Sequence, residues 1–222
     1  MTIFEITSLD LNLEDVKKRM RKGDWERVQT LLDAVKPLIS ARAAYDACYI
    51  DQREEGGVVI GGIRFVSQVL KKNLEKIGRV FPYVVTIGPG LEERSDVSAD
   101  FLDRYYLDVI GNVAVTRARK AFEDHLRSKF ALSGLSYMSP GSLQDWPIEE
   151  QAPLFSLLQE VEKTLGVRLT ESFLMIPRKS VSGIYFPTEV TFHSCQLCPR
   201  ENCEGRRAPF DETLAREYGL RK

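Results

Sequence analysis

Apolar positions recur along this chain with two different periods, and the switches between them divide it into helices and strands. Residues 12–22 open on Asn12 as a cap and place Leu13, Val16 and Met20 at helical spacing, and residues 24–36 do the same with Trp25, Val28, Leu31, Leu32 and Val35. Gly23 separates the two and Pro37 ends the second. Neither amphipathic helix can bury its face alone, so the pair is read as an N-terminal unit, 1–37, that packs on the rest of the chain or serves as a docking surface. Residues 44–50 and the run Val58-Val59-Ile60 predict strands, with glycine pairs at 56–57 and 61–62 as turns. Phe65, Val69, Leu70, Leu74 and Ile77 predict a helix closed by Gly78, and residues 80–87 predict a buried strand ending at Gly88-Pro89-Gly90.

From 98 to 130 the apolar positions predict one long helix, with Gly111 as a candidate kink. Residues 132–142 predict a loop from their Ser, Gly and Pro content, and Pro147 starts a helix whose apolar stripe runs to Leu165 and stops at Gly166. Two β-rich stretches follow, 169–176 and 181–186, joined by Pro-Arg-Lys-Ser, which suits a hairpin. Strands and helices mix without βαβ alternation. The expected class is α+β, a mixed or antiparallel bent sheet with long flanking helices.

The last of these stretches reads LTESFLMIPRKSVSGIYFP, and upstream lie Ser139-Pro140-Gly141 and then DWPIEEQ at 145–151. These words, in this order, closely resemble the signature of the reactivation (S-adenosylmethionine-binding) domain of cobalamin-dependent methionine synthase. The resemblance is clearest over 101–187 and implies a standalone activation domain-like core at 38–192. It implies that the Pro-Gly loop and the hairpin together hold S-adenosylmethionine, through Tyr137, Pro140, Gly141, Glu171, Ser182, Gly183 and Tyr185, with Tyr185 as an aromatic wall. Two positions depart from the family: Tyr137 stands where an Arg is expected to contact the cofactor's carboxylate, and Ser142 stands where a Tyr is expected. A tyrosine cannot supply a bidentate cationic fork. Taken singly, the residues also have plainer readings: Gly183 as a strand bulge, Tyr185 as a core tyrosine, Pro140-Gly141 as a turn.

Composition narrows the functional classes. With 31 Lys and Arg against 32 Asp and Glu, the formal net charge is −1, and a nucleic-acid binder would need a concentrated basic footprint. The densest basic run, KKRMRK at 17–22, is flanked by acids and reads as a solvated helix face. No stretch approaches the roughly twenty apolar residues of a membrane span, and no leader precedes the first element, so the expected location is the cytoplasm. Only two histidines occur, His125 and His193. His125 reads as a surface or dipole-compensating residue, and no Ser-His-Asp or Cys-His arrangement suggests a protein nucleophile, so no catalytic residue is assigned.

The tail, 193–222, is Cys-rich. His193, Cys195, Cys198 and Cys203 place a CxxC, a third Cys and an imidazole within eleven residues, a set that could hold zinc as Cys₃His or an iron–sulfur cluster whose fourth ligand is His193, Cys48 or an external group. A reduced, metal-free loop is the alternative.

What the family resemblance implies for function is reductive methylation of a cobalamin held by a partner. That partner is a corrinoid-carrying methyltransferase or a methionine synthase lacking its own activation domain, and the electron comes from a donor such as flavodoxin or ferredoxin. In such chemistry the cobalt is the nucleophile, so the protein positions the methyl donor and needs no nucleophile of its own. Two rival readings are a metal- or cluster-binding accessory protein of corrinoid metabolism that has lost the methyl donor, and an interaction scaffold whose tail is pinned by a metal.

Overall fold

The computed structural model describes residues 1–20, 22–203 and 205–220; Arg21, which the sequence assigns to the first helix, and Glu204, Arg221 and Lys222 of the tail lie outside that set. Among the described residues ten strands form: β1 Thr2–Glu5, β2 Arg42–Tyr45, β3 Cys48–Glu54, β4 Gly57–Ile60, β5 Ile63–Val66, β6 Arg79–Thr86, β7 Leu135–Met138, β8 Arg168–Leu169, β9 Met175–Ile176 and β10 Ser180–Pro187. The helices are α1 Leu13–Lys17, α2 Trp25–Val35, α3 Gln68–Asn73, α4 Gly90–Asp96, α5 Phe101–Phe130, α6 Gln151–Leu158, α7 Val161–Leu165 and α8 Glu212–Glu217. The class is α+β, as the mixed periodicity predicts.

Strand β6 is the axis of a curled, antiparallel eight-stranded sheet. On one side it pairs with β2 (Tyr45 opposite Tyr83) and then, past the Asp46-Ala47 bend, with β3 (Cys48 opposite Val80). From there the sheet forks: β1 adds to β2, while β4 and β5 continue from β3 as a meander. On its other side β6 pairs with β10 from Ser180 to Tyr185, and β10 carries β7 beyond it. Both faces of β6 are covered, which is why its sequence, RVFPYVVT, is apolar almost throughout rather than alternating.

Side chains separate by the period of two. Phe81, Tyr83, Val85 and Tyr185 face a layer built from α5, α1 and α2, while Val80, Ile184 and Phe186 face Trp146, α3, α6 and the tail. Val16, Val28, Leu32 and Val35 are fully buried, each contributing roughly 1.5–3 kcal/mol by transfer from water. The apolar faces of α1 and α2 are therefore committed to α5 and unavailable for docking a partner. Arg27 ties α2 to the start of α5 through Asp103 (2.6 Å) and Asp100, and Arg117 of α5 grips Asp15.

Several local expectations change. Phe65 belongs to β5, and α3 begins only after Ser67, whose hydroxyl caps Leu70 N–H at 2.9 Å. The predicted loop at 132–142 contains β7, which four residues are too few to announce. Helix α5 runs unbroken through Gly111, where a Cβ would lie 2.9 Å from Lys179 Cε. Gly111 thus makes a groove for the Lys179 stem, whose ammonium donates to Asp108 (2.6 Å) and Asn112 (2.8 Å). The stretch 169–186 is not one hairpin: β8 pairs with β9, and β10 leaves to join β6. His125 stacks on Phe4 at 3.9 Å, with Nε2 3.0 Å from Tyr45 Oη, and so holds β1 to the core rather than serving the helix end. Among the described residues no helix is long and apolar enough to cross a membrane.

Candidate functional site

The first half of β10 lies at an open stretch of the sheet. β7 pairs with β10 only from Ile184 onward, so residues 180–183 are paired to β6 on one side and, among the described residues, to no strand on the other. A cleft of about 340 Å³ lies along that edge, lined by Ser139 and Pro140, Ile148 and Gln151, Leu174 and Met175, Arg178, and Ser180 to Ser182. It brings together the two sequence words, the Pro-Gly loop and the first half of SVSGIYF. Its rim is open to solvent at Leu174 (58% exposed) and Arg178.

The Pro-Gly loop is held from below. Gly141 has φ 78°, which favours glycine, and its N–H donates to the Trp146 carbonyl at 2.7 Å. Trp146 is fully buried against Phe65, ring centroids 6.3 Å apart. Asp145 accepts from the Val69 and Gln68 amides at 2.9 and 3.2 Å and from the Ser67 hydroxyl, so it caps α3 and ties the loop to it. Ser142 turns its hydroxyl back to the Ser139 carbonyl at 2.6 Å, closing the turn. The DWP word is thus the loop's foundation.

On the far wall, the Ser182 hydroxyl donates to Gln151 Oε1, and Gln151 Nε2 donates to the Phe173 carbonyl at 3.2 Å. Both side chains are buried, so this pair fixes α6, β10 and the β8–β9 turn to one another. Arg178 is braced by Glu92 at 2.7 Å and Asp96 at 3.2 Å, and those carboxylates hold its guanidinium above the usual arginine range, the Glu92 hydrogen bond first. Gln151, Ile148, Leu174, Met175 and Arg178 were not singled out from sequence as site residues. The Pro-Arg-Lys-Ser connection was the available signal for Arg178.

The structure divides the residues assigned from sequence. Pro140 and Ser182 line the cleft, and Gly141 and Gly183 shape its backbone. A Cβ on Gly183 would lie 2.9 Å from Ser139 Oγ and closer still to the Met138 carbonyl oxygen, so the strands can meet there only without one. Glu171 is exposed on the β8–β9 turn, outside the lining. Tyr185 is fully buried toward α5, 4.7 Å from the Tyr83 ring and 5.2 Å from Tyr137. Burial pushes its hydroxyl and that of Tyr83 well above the usual phenol range, and the Tyr185 hydroxyl accepts from Arg119 at 2.8 Å. It is a core residue one strand position away from the Ser182 face, and not a wall of the cleft. Tyr137 shares its face.

In the tail, Arg206 donates to the carbonyls of Cys195 (3.1 Å), Cys198 (3.2 Å), Ala208 (3.2 Å) and Arg200. The loop folds around this guanidinium with its carbonyls inward. Cys195 Sγ accepts from the Arg207 amide at 3.5 Å and Cys203 is exposed. Among the described residues no group of three His, Cys, Asp or Glu side chains could hold a metal ion. His193, Cys195, Cys198 and Cys203 as placed therefore do not fit zinc or an iron–sulfur cluster.

A curled antiparallel sheet backed by one long helix, with a cleft beside the unpaired stretch of β10, defines an α+β domain. Residues 137–207 match the family model described as "Vitamin B12 dependent methionine synthase, activation domain". Among solved structures the chain is similar to the crystal structure of the MetH reactivation domain bound to AdoHcy, with a TM-score of 0.56 and 18% identity over 87% of this chain and 81% of that one. No curated protein sequence matches. The family signature thus covers 137–207, and the fold over most of the chain is that of the solved domain, in line with the family its sequence words resemble.

Proposed function

We propose that this chain binds S-adenosylmethionine in the cleft at the open edge of β10 and supports reductive methylation of a cobalamin carried by a partner protein. The observation that carries this reading is that the two family words, both inside the matched segment 137–207, meet in one open cleft. Its volume of about 340 Å³ lies within the range of roughly 300–1,000 Å³ typical of ligand clefts. The solved relative bears AdoHcy, the product that methyl donation leaves.

In this reading the partner's corrinoid, once reduced by one electron from a flavodoxin- or ferredoxin-like donor, supplies the nucleophile that takes the methyl group. This chain's residues bind and orient. Ser180 to Ser182 offer an unpaired strand edge, Ile148, Leu174 and Met175 offer apolar contact, and the Ser182–Gln151 pair holds the two walls at fixed separation. The open rim at Leu174 and Arg178 leaves the donor accessible to a docked partner. Holding the reactants in line is the chain's contribution. Cytoplasmic residence alongside partner and donor belongs to the same proposal.

Calorimetric titration with S-adenosylmethionine and with S-adenosylhomocysteine, using methionine as control, tests it. Micromolar binding of both, weakened about tenfold in Leu174→Glu, is the expected result. No binding at millimolar concentrations would sink the reading, as would equal affinity in the variant.

A further inference from the structure

The tail returns to the sheet beside the cleft. Its loop, folded around Arg206, delivers Arg207 onto Tyr137, with the guanidinium carbon 4.4 Å from the ring centroid. Arg119 of α5 lies at the same distance, 4.4 Å, from the same ring. One aromatic ring thus gathers two cations, whose mutual repulsion an anion would relieve.

The two are not equivalent. Arg119 is mostly buried and already engaged, donating to Tyr185 Oη at 2.8 Å and facing Glu123 at 3.5 Å. Glu123 is the acidic group of this face, and it also serves Lys120 (3.4 Å) and Arg127 (3.2 Å), while Asp124 takes Lys120 at 2.8 Å. Its negative charge is therefore shared among three cations. Arg207 is exposed, and no carboxylate among the described residues hydrogen-bonds its guanidinium. Stacking on Tyr137 fixes the plane of the fork while leaving its N–H edges free, which lowers the ordering cost of gripping a planar carboxylate.

The place is right for the cleft's ligand. Tyr137 precedes Ser139 by two residues, and Ser139 Oγ lies 2.9 Å from where a Cβ on Gly183 would stand, on the side of β10 that carries Tyr185 opposite Tyr137. Val181, which packs toward the same core as Tyr137, also lines the cleft. Hence the open edge communicates with the face on which Arg207 sits.

We propose that Arg207, brought in by the tail and stacked on Tyr137, grips the carboxylate of the ligand's amino-acid end. This makes the tail part of the binding site and rests on the S-adenosylmethionine reading above. It assigns the tail a recognition task that needs no metal.

The test compares Arg207→Ala and Arg207→Lys with the unaltered full chain, titrating S-adenosylmethionine and its decarboxylated form, which lacks only the carboxylate. The expected result is a 10- to 100-fold loss of S-adenosylmethionine affinity in Arg207→Ala, a partial loss in Arg207→Lys, and no change for the decarboxylated form. Unaltered S-adenosylmethionine affinity in Arg207→Ala would overturn the inference and leave the cleft reading standing. So would an equal loss for both ligands, which would mean that Arg207 acts only by packing Tyr137. Failure of the unaltered protein to bind either ligand would remove the cleft reading and this inference with it.

Discussion

Gly183→Ala separates a packing role from a binding role at the edge of the cleft. The added methyl would sit 2.9 Å from Ser139 Oγ and closer to the Met138 carbonyl oxygen. The serine hydroxyl can swing away, but the carbonyl is backbone, fixed by the pairing of Ile184 with Met138. Restoring an ordinary C···O separation of about 3.3 Å requires β7 and β10 to part by roughly an ångström. Overpacking of this kind costs about 1–3 kcal/mol, and the rigid obstacle places the change toward the upper end. A loss of about 3 kcal/mol lowers the folding equilibrium constant by roughly two orders of magnitude and Tm by about 6–12 °C for a chain of this length. Urea denaturation followed by circular dichroism measures it, and the midpoint should fall by about 1 M if the slope is near 3 kcal/mol/M. Ligand affinity should fall as well, since parting the strands moves Ser139 and Pro140 from the cleft wall. A midpoint unchanged within error would refute the close approach of the strands. A lowered midpoint with full affinity would show that Gly183 serves the sheet alone.

Gln151→Ala leaves the buried Ser182 hydroxyl and the Phe173 carbonyl without their partner and should destabilise the protein by about 1–3 kcal/mol; hydrogen exchange should show the 170–176 turn loosening first, and uniform loosening would contradict the clamp. Burial, with Lys129 second, holds His125 below the ordinary imidazole range, so its neutral form is favoured in the fold. Its contribution to stability is complete above the unfolded pKa of about 6.5 and is lost as pH falls through the lower folded value. Tm should therefore drop between pH 7 and pH 5, and His125→Gln should flatten that drop; an identical profile in the variant would exclude His125 as a cause. His193, lowered by burial and then by Arg207, adds a change of the same sign. Elemental analysis of protein purified without chelator should find well under one equivalent of zinc or iron, because the tail's carbonyls, not its thiols, converge; a full equivalent would overturn the placement of that loop.

Much of this protein is legible from the order of its residues. The apolar positions of α1, α2 and α5 follow from helical spacing, the burial of β6 on both faces from its unbroken apolar run, and the family resemblance from two words that keep their order. The α+β class follows from the absence of βαβ alternation. Other features depended on which elements meet. Spacing of two tells that Ser182 and Tyr185 lie on opposite faces of a strand, but only the docking of α5 decides which face is core. That is why Tyr185, an aromatic in a binding word, is interior. Local turn chemistry suggested that β10 returns along its predecessor; pairing with β6, 94 positions from Ser180 to Thr86 in sequence, won because it buries Ile184 and Phe186 on one face and Tyr185 on the other. β1 and β7, four residues each, carry too little pattern to be seen before their partners are in place. The approach of Arg207 to Tyr137 joins residues 70 positions apart, a contact that no local period encodes and that exists only because the tail folds back around Arg206 onto the finished sheet.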